Sequence, residues 1–398
     1  MIRTMHRLAR PLRVTRTAIQ VFSAAPGERA AVAELLAQMP ASKQGFTLLF
    51  CTPHYDLGRV GAALRHAGRE RVMAAMTGRA IGIRGFAARG ISGIHLPVPG
   101  FKVADALISD VTQFGLNEAR QLVRALRRRL GAHASARLPY QFGLLVADAM
   151  PRCEERVTAA LGTELAGVPL IGGSAGDTYF HPDMQGLESS RVLHRGAARN
   201  GAAVFCLVAS AFPIHALSHT HYVPDRRRRV VITEADPARR LVSEIDGRPA
   251  LQAYQEAAGL DHPARSAGDF ASHPLMVRIG GQYFARGMQR VHADGSLEFA
   301  CAMEPGMVLS VARPRDMVRE LSEMFAGMRS AIGPPQLVVG FECAARTAEM
   351  EQGGLTAAVG RVFTGNSVTG FCTLGEQFGA IHVNNSFSCV GIGAGADT

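Results

Sequence analysis

Tryptophan is absent from this 398-residue chain, and lysine occurs only at Lys43 and Lys102. Nearly all of the positive charge is therefore arginine, and the formal net charge is +10. Nucleic-acid binding calls for a basic face interleaved with aromatic side chains. Aromatics make up only 6% of the chain, so the charge alone does not argue for that partner. Long apolar runs are also missing. Ala202–Ala209 is typical of the longest, well short of the ~20 residues a membrane-spanning helix needs. The seven cysteines (51, 153, 206, 301, 343, 372 and 389) are scattered and form no C-x-x-C. An odd, dispersed set reads as reduced and mostly buried thiols, and hence as a cytoplasmic protein.

What the chain does have is 47% hydrophobic and 19% charged residues over a length that supports two domains with real cores. Helix and strand periodicities alternate throughout. The fold class expected is α/β with mixed sheets flanked by helices. Residues 1–16 carry five arginines and no acid, and read as a basic N-terminal arm. Residues 17–229 form the expected N-terminal domain, 230–393 the C-terminal domain, and 394–398 a tail. The division is placed after the polar break Asp225–Arg229.

Several local expectations follow from spacing. Asp56 caps a helix that reaches Ala67, and Asn117 caps a helix over Glu118–Leu130. Pro237–Glu244 reads as a short helix. Pro314 at a first helical position starts a Met-rich helix. Arg346–Val359 reads as one further helix.

Candidate chemistry centres on three stretches. The first is Val168–Asp177, where a strand runs into Gly172-Gly173-Ser174-Ala175-Gly176-Asp177. Its letters match the G-x-S-x-G nucleophile elbow of α/β-hydrolases, which would make Ser174 a nucleophile. The elbow requires a helix to follow, and Thr178–Asp183 does not read as one. A backbone-driven turn is favoured, so Ser174→Ala is expected to be nearly silent and Gly173→Val disruptive. The second stretch holds His215, His219 and His221, with the same parity on a strand. Same-face histidines suit a metal, and one suffices as an axial haem ligand; equally, they suit half-buried polar positions at a domain junction. The third is Thr369–Phe387. Glycine-hinged loops there present Glu376, Gln377, His382 and Asn384 either as ligand contacts or as groups that satisfy a tight hairpin.

Taken in order, Pro169–Asp177, His221-Tyr222-Val223-Pro224, Val231–Glu244, Val277–Gly281 and the Gly370–Asn384 block resemble a FIST protein. The likeness runs roughly from Gly45 to Gly393 and covers an N-terminal and a C-terminal FIST domain. It implies a bacterial signal-transduction sensor without catalytic output. In its two-domain form the chain is similar to the NosP group, nitric-oxide-sensing haemoproteins that regulate a histidine kinase or a cyclic-di-GMP enzyme (a diguanylate cyclase or phosphodiesterase). That branch implies haem b with His221 as the iron ligand and His219 beside it. The family also implies a haem-free alternative, a module for an amino-acid-like small molecule; the residues read here as its contacts are Glu376, Gln377, His382 and Asn384, with Gly172, Gly173, Ser174, Gly176 and Asp177 as further ligand-binding candidates. No nucleic acid and no membrane insertion are expected.

Overall fold

The computed structural model describes residues 17–131, 137–176, 191–260 and 267–394. The basic arm, the 395–398 tail and Asp177 lie outside the described residues.

Among the described residues, three six-stranded mixed sheets enclose one central core. The first runs in the order Ile19–Ser23, Ile91–Leu96, Phe46–Cys51, Val72–Met76, Val192–His194, Ala197–Arg199. The second is Ile381–Val383, Glu376–Phe378, Leu170–Ala175, Tyr140–Asp148, Ala203–Ser210, Phe101–Ile108. The third is Ile214–His219, Phe387–Gly393, Pro335–Cys343, Val368–Thr373, Ala80–Gly82, Gly85–Ala87. Each sheet holds one parallel pair among antiparallel neighbours. Phe46, Phe50, Phe142, Ile171, Phe341, Phe371 and Val390 from all three sheets meet in the shared core. Phe371 stacks on Phe50 at 5.1 Å between ring centroids and meets Phe341 edge-on at 5.4 Å.

Strands buried on both faces read as continuous apolar runs, which is why FTLLFC and AVFCLVAS show no alternation. The outer face of each sheet carries helices: Glu28–Ala37 and Leu57–His66 on the first, Leu116–Leu130 and Glu154–Glu164 on the second. Met317–Ile332, Ala344–Gln352 and Thr356–Gly365 cover the third. A fourth, eight-stranded sheet built around Tyr222–Asp236 has its own core, closed by Ala250–Ala258 and Ala267–Ser272. The architecture is thus the expected mixed α/β.

The chain's two halves share sheets. Ala80–Ala87 adds to the third sheet beside Val368–Thr373, and Glu376–Val383 adds to the second beside Leu170–Ala175. The expected division after Arg229 falls inside the single strand Tyr222–Asp236, whose register shifts between Pro224 and Arg229.

Local differences have local causes. Asp56 caps its helix as expected, accepting from the Arg59 N–H at 2.7 Å. Asn117 does not cap; Gly115 takes that place, and its N–H donates to the Glu118 carboxylate at 3.0 Å. Residues 237–240 turn into the strand Leu241–Ile245, whose Val242 and Ile245 are both buried in the fourth core across an irregular register with Tyr222–Asp236. Pro314 ends a strand instead of starting a helix, and Asp316 caps Met317–Ile332 by accepting from the Arg319 N–H. The single helix expected over Arg346–Val359 is two helices, interrupted at Gly353-Gly354, where Gly354 takes φ +66°.

Candidate functional site

The Gly172–Ser174 stretch forms the inner part of a strand. Leu170–Ala175 pairs parallel with Tyr140–Asp148 and antiparallel with Glu376–Phe378, which sets Gly172 opposite Gln377 and Gly173 opposite Glu376. A Cβ on Gly172 would strike the Leu145 carbonyl. One on Gly173 would strike Thr373, Phe341 and Phe371. Close approach between strands and rings is what these glycines provide. Ser174 is fully buried, and its hydroxyl accepts from Gln377 Nε2 at 2.8 Å. Among the described residues, the bonded side-chain partner of Ser174 is Gln377 and not a histidine base. Gly176 bridges to Thr77 of the first sheet. Gly172, Gly173 and Ser174 therefore support the sheet on which Glu376 and Gln377 are carried.

His219 ends the strand Ile214–His219, and His221 follows a break, just before Tyr222–Asp236 begins. Among the described residues no group of three or more His, Cys, Asp or Glu is arranged to hold a metal ion. His221 is buried and fully engaged. Arg346 Nη1 lies 2.7 Å from its Nδ1, and Glu349 Oε1 lies 2.8 Å from its Nε2. A guanidinium can only donate and a carboxylate can only accept, so Nδ1 is the acceptor and Nε2 carries the hydrogen. Burial lowers the His221 pKa, in keeping with a neutral ring. The network continues on both sides. Tyr222 donates to Glu349 Oε2 at 2.6 Å, and Arg346 Nε donates to Glu342 Oε1 at 2.5 Å. Arg346 and Glu342 are fully buried.

Haem needs an imidazole nitrogen with a free electron pair, and space for a macrocycle. His221 in this arrangement offers neither nitrogen: one accepts from Arg346 and the other is protonated toward Glu349. His219 differs. Its Nε2 is buried without a hydrogen-bond partner, and burial lowers its pKa to about 4, so the ring is neutral.

Of the C-terminal candidates, Asn384 lines a small cavity of about 50 Å³. Asn384, Asn385, Leu374, Gly287, Ala300 and the chain segment Cys343-Ala344-Ala345 line it, with Phe270 and Met288 among the apolar walls. Asn384 is 1% exposed, yet among the described residues neither its amide oxygen nor its amide nitrogen has a hydrogen-bond partner. The Asn385 side-chain oxygen is likewise buried without a partner among the described residues, and His382 is buried with the Ala300 backbone as a polar neighbour of its ring. His382 sits against Gly375, where any side chain would strike its ring. Burial lowers the His382 pKa to about 4. Native interiors pair nearly all such groups, so a cluster left open around a cavity marks a place where a ligand or water completes the bonding.

Glu376 and Gln377 stand apart from that opening. Glu376 accepts from Thr373 Oγ1 at 2.5 Å and from Ser386 Oγ at 2.7 Å. Burial outweighs these bonds and pushes its pKa up to about 8. Of the nine ligand contacts expected, Asn384 lines the cavity and His382 stands behind it. Glu376, Gln377, Gly172, Gly173 and Ser174 form the sheet that holds the loop. Gly176 belongs to a bridge between sheets.

Sequence reasoning missed Asn385, Cys343 and the Glu342–Arg346–Glu349 series. Part of the last had a local signal, since Arg346 and Glu349, three apart, share a face of the helix Ala344–Gln352, whereas Glu342 stands at the end of the strand before it. Its partner His221 is distant in sequence, and only folding joins them.

Glu154 and Glu155 of the second sheet's helix hold Arg240 of the fourth sheet, each at 2.8 Å. Arg240 also donates to the carbonyl of the cavity-lining Ala300 at 2.7 Å. No helix among the described residues is long and apolar enough to cross a membrane.

No curated protein matches the chain. Comparison with protein families matches residues 45–248 to the FIST N domain and residues 250–379 to the FIST C domain. FIST domains are signal-transduction sensor domains for small ligands. With both modules matched in order over most of its length, the chain belongs to the FIST family.

Proposed function

We propose that this chain is a sensor whose small-molecule ligand sits in the cavity lined by Asn384, Asn385 and Cys343-Ala344-Ala345. The observation that carries the reading is the Asn384 amide, buried with neither of its polar atoms bonded. A ligand that donates to Oδ1 and accepts from Nδ2 recovers a desolvation cost of about 1–3 kcal/mol per unpaired group. Ligand occupancy then shifts the chain between states of different affinity for a signalling partner, a histidine kinase or a cyclic-di-GMP enzyme. Thermal-shift screening of amino acids and related small molecules tests this. A hit must raise the melting temperature of the wild type and lose its effect in Asn384→Leu. A hit that acts equally on both proteins places the ligand elsewhere.

A second reading is a haem-based nitric-oxide sensor. The unpartnered Nε2 of His219 favours it and directs the ligation to His219 over His221. Bound haem would supply an iron centre for the diatomic gas. Titration with haemin decides between the two readings. A Soret band that survives His221→Ala and disappears in His219→Ala supports haem, and absence of the band disposes of it.

A further inference from the structure

The cavity lies at the start of the nine-residue helix Ala344–Gln352. Cys343, Ala344 and Ala345, its N-cap and first two residues, all line it. The Cys343 side chain provides no cap. The first turn of an α-helix presents N–H groups without intrahelical acceptors, equivalent to about half a positive charge. That feature alone would not mark a site. The Asn384 side chain supplies the independent observation, because it is buried on the same cavity with its amide nitrogen unpartnered.

We propose that the cavity binds a compact carboxylate, its oxygens facing the first turn of Ala344–Gln352 and the Asn384 amide nitrogen. This rests on the ligand-site reading above and names the ligand's charged group. The volume of about 50 Å³ has room for roughly four water-sized positions, the bulk of an acetate or of the carboxylate end of a somewhat longer molecule. Phe270, Met288 and Leu374 give the apolar end a dry wall. Two titratable neighbours, Cys343 and Glu376, add no charge against an anion. The Cys343 thiol is held protonated by burial, and burial likewise favours the neutral form of Glu376 near neutral pH. Behind Asn384, Ala285 bridges to its backbone, and the adjacent Arg286 guanidinium bonds the His382 carbonyl at 3.1 Å.

Calorimetric titration of the full chain with acetate, formate and acetamide at fixed ionic strength tests the charge. Acetate or formate is expected to bind at least tenfold more tightly than acetamide. Ala344→Pro removes one first-turn N–H at the position where helices tolerate proline. Cys343 already has the extended backbone (φ −62°, ψ 136°) that a residue before proline requires. That variant is expected to keep the wild-type melting temperature and weaken acetate at least fivefold. Should it fail to fold, Asn384→Leu carries the same expectation. Equal affinity for acetate and acetamide overturns the carboxylate assignment, as does unchanged acetate affinity in the variant that folds. If no carboxylate binds while another class of compound protects the wild type through Asn384, this inference fails and the ligand-site reading stands. If nothing protects it, both fail.

Discussion

Nε2 of His221 lies 2.8 Å from Oε1 of Glu349, and this bond ties the start of the fourth sheet to the helix that opens on the cavity. The same helix carries Arg346, which binds the other ring nitrogen. Ligand-site residues Ala344 and Ala345 and the His221 clamp thus belong to one nine-residue helix. A shift of that helix would be felt at both ends.

The clamp makes a stability prediction. His221→Ala leaves Arg346 buried with Glu342 as its remaining side-chain partner and frees Glu349 from one of its two bonds. A loss of about 2–4 kcal/mol is expected from the broken buried network. Glu349→Gln keeps the shape and an acceptor for His221, and should cost about 1 kcal/mol. Urea denaturation of the two variants beside the wild type measures both. Equal effects would mean that the clamp contributes packing without hydrogen bonding.

Ser174→Ala concerns the strand that first drew attention as a nucleophile elbow. From the sequence it is expected to be nearly silent. The structure reverses that expectation. Gln377 Nε2 bonds Ser174, and Gln377 Oε1 already lacks a partner. The substitution strands a buried amide and should cost about 1–3 kcal/mol. A fluorophosphonate probe should leave wild type and variant equally unlabelled; labelling of the wild type at Ser174 would restore the hydrolase reading. Gly173→Val forces a side chain into Thr373, Phe341 and Phe371, and should yield no folded protein by circular dichroism.

Glu376 sets a pH dependence whose sign can be stated. Its folded-state pKa is raised to about 8 from the ordinary carboxylate value of 4.5, chiefly by burial. The native state therefore holds a proton that the unfolded chain has released. Its stabilising contribution is complete below about pH 4.5 and is lost as pH rises toward 8. Each pH unit within that window removes at most ~1.4 kcal/mol. Glu376→Gln mimics the protonated acid. The slope of stability between pH 5 and 8 should flatten in that variant, measured by denaturant titration across buffers. An unchanged slope would show that Glu376 is not the group responsible.

The imidazole of His382 offers a spectroscopic counterpart. With its pKa lowered to about 4 by burial, it should stay neutral through the range in which exposed histidines titrate near 6.5. Proton NMR of the histidine ring signals, assigned by His382→Gln, checks this. A ring that titrates near 6.5 would mean that the cavity region is open to water.

Strand and helix placement was legible where apolar runs and periodicity are local. The helix expected after Asp56 lies at Leu57–His66, and the one expected over Glu118–Leu130 lies at Leu116–Leu130. Errors arose where a residue's role depends on a neighbour from elsewhere. Pro314 reads as a helix start until its strand pairs with Tyr222. The segment 237–244 reads as a helix until Val242 enters the fourth core.

By itself the sequence determined the mixed α/β class, the family, and the glycine-rich strand and polar loop from which the site is built. Those features depend on side-chain period, on small residues where backbones approach, and on motifs preserved in order. Which polar groups are left without partners was decided by tertiary structure. Gln377 found Ser174 and His221 found Arg346 and Glu349, whereas the Asn384 amide found no partner among the described residues. Hydrogen-bond satisfaction is a property of the three-dimensional neighbourhood, assembled here from segments more than a hundred residues apart, and no local pattern encodes it.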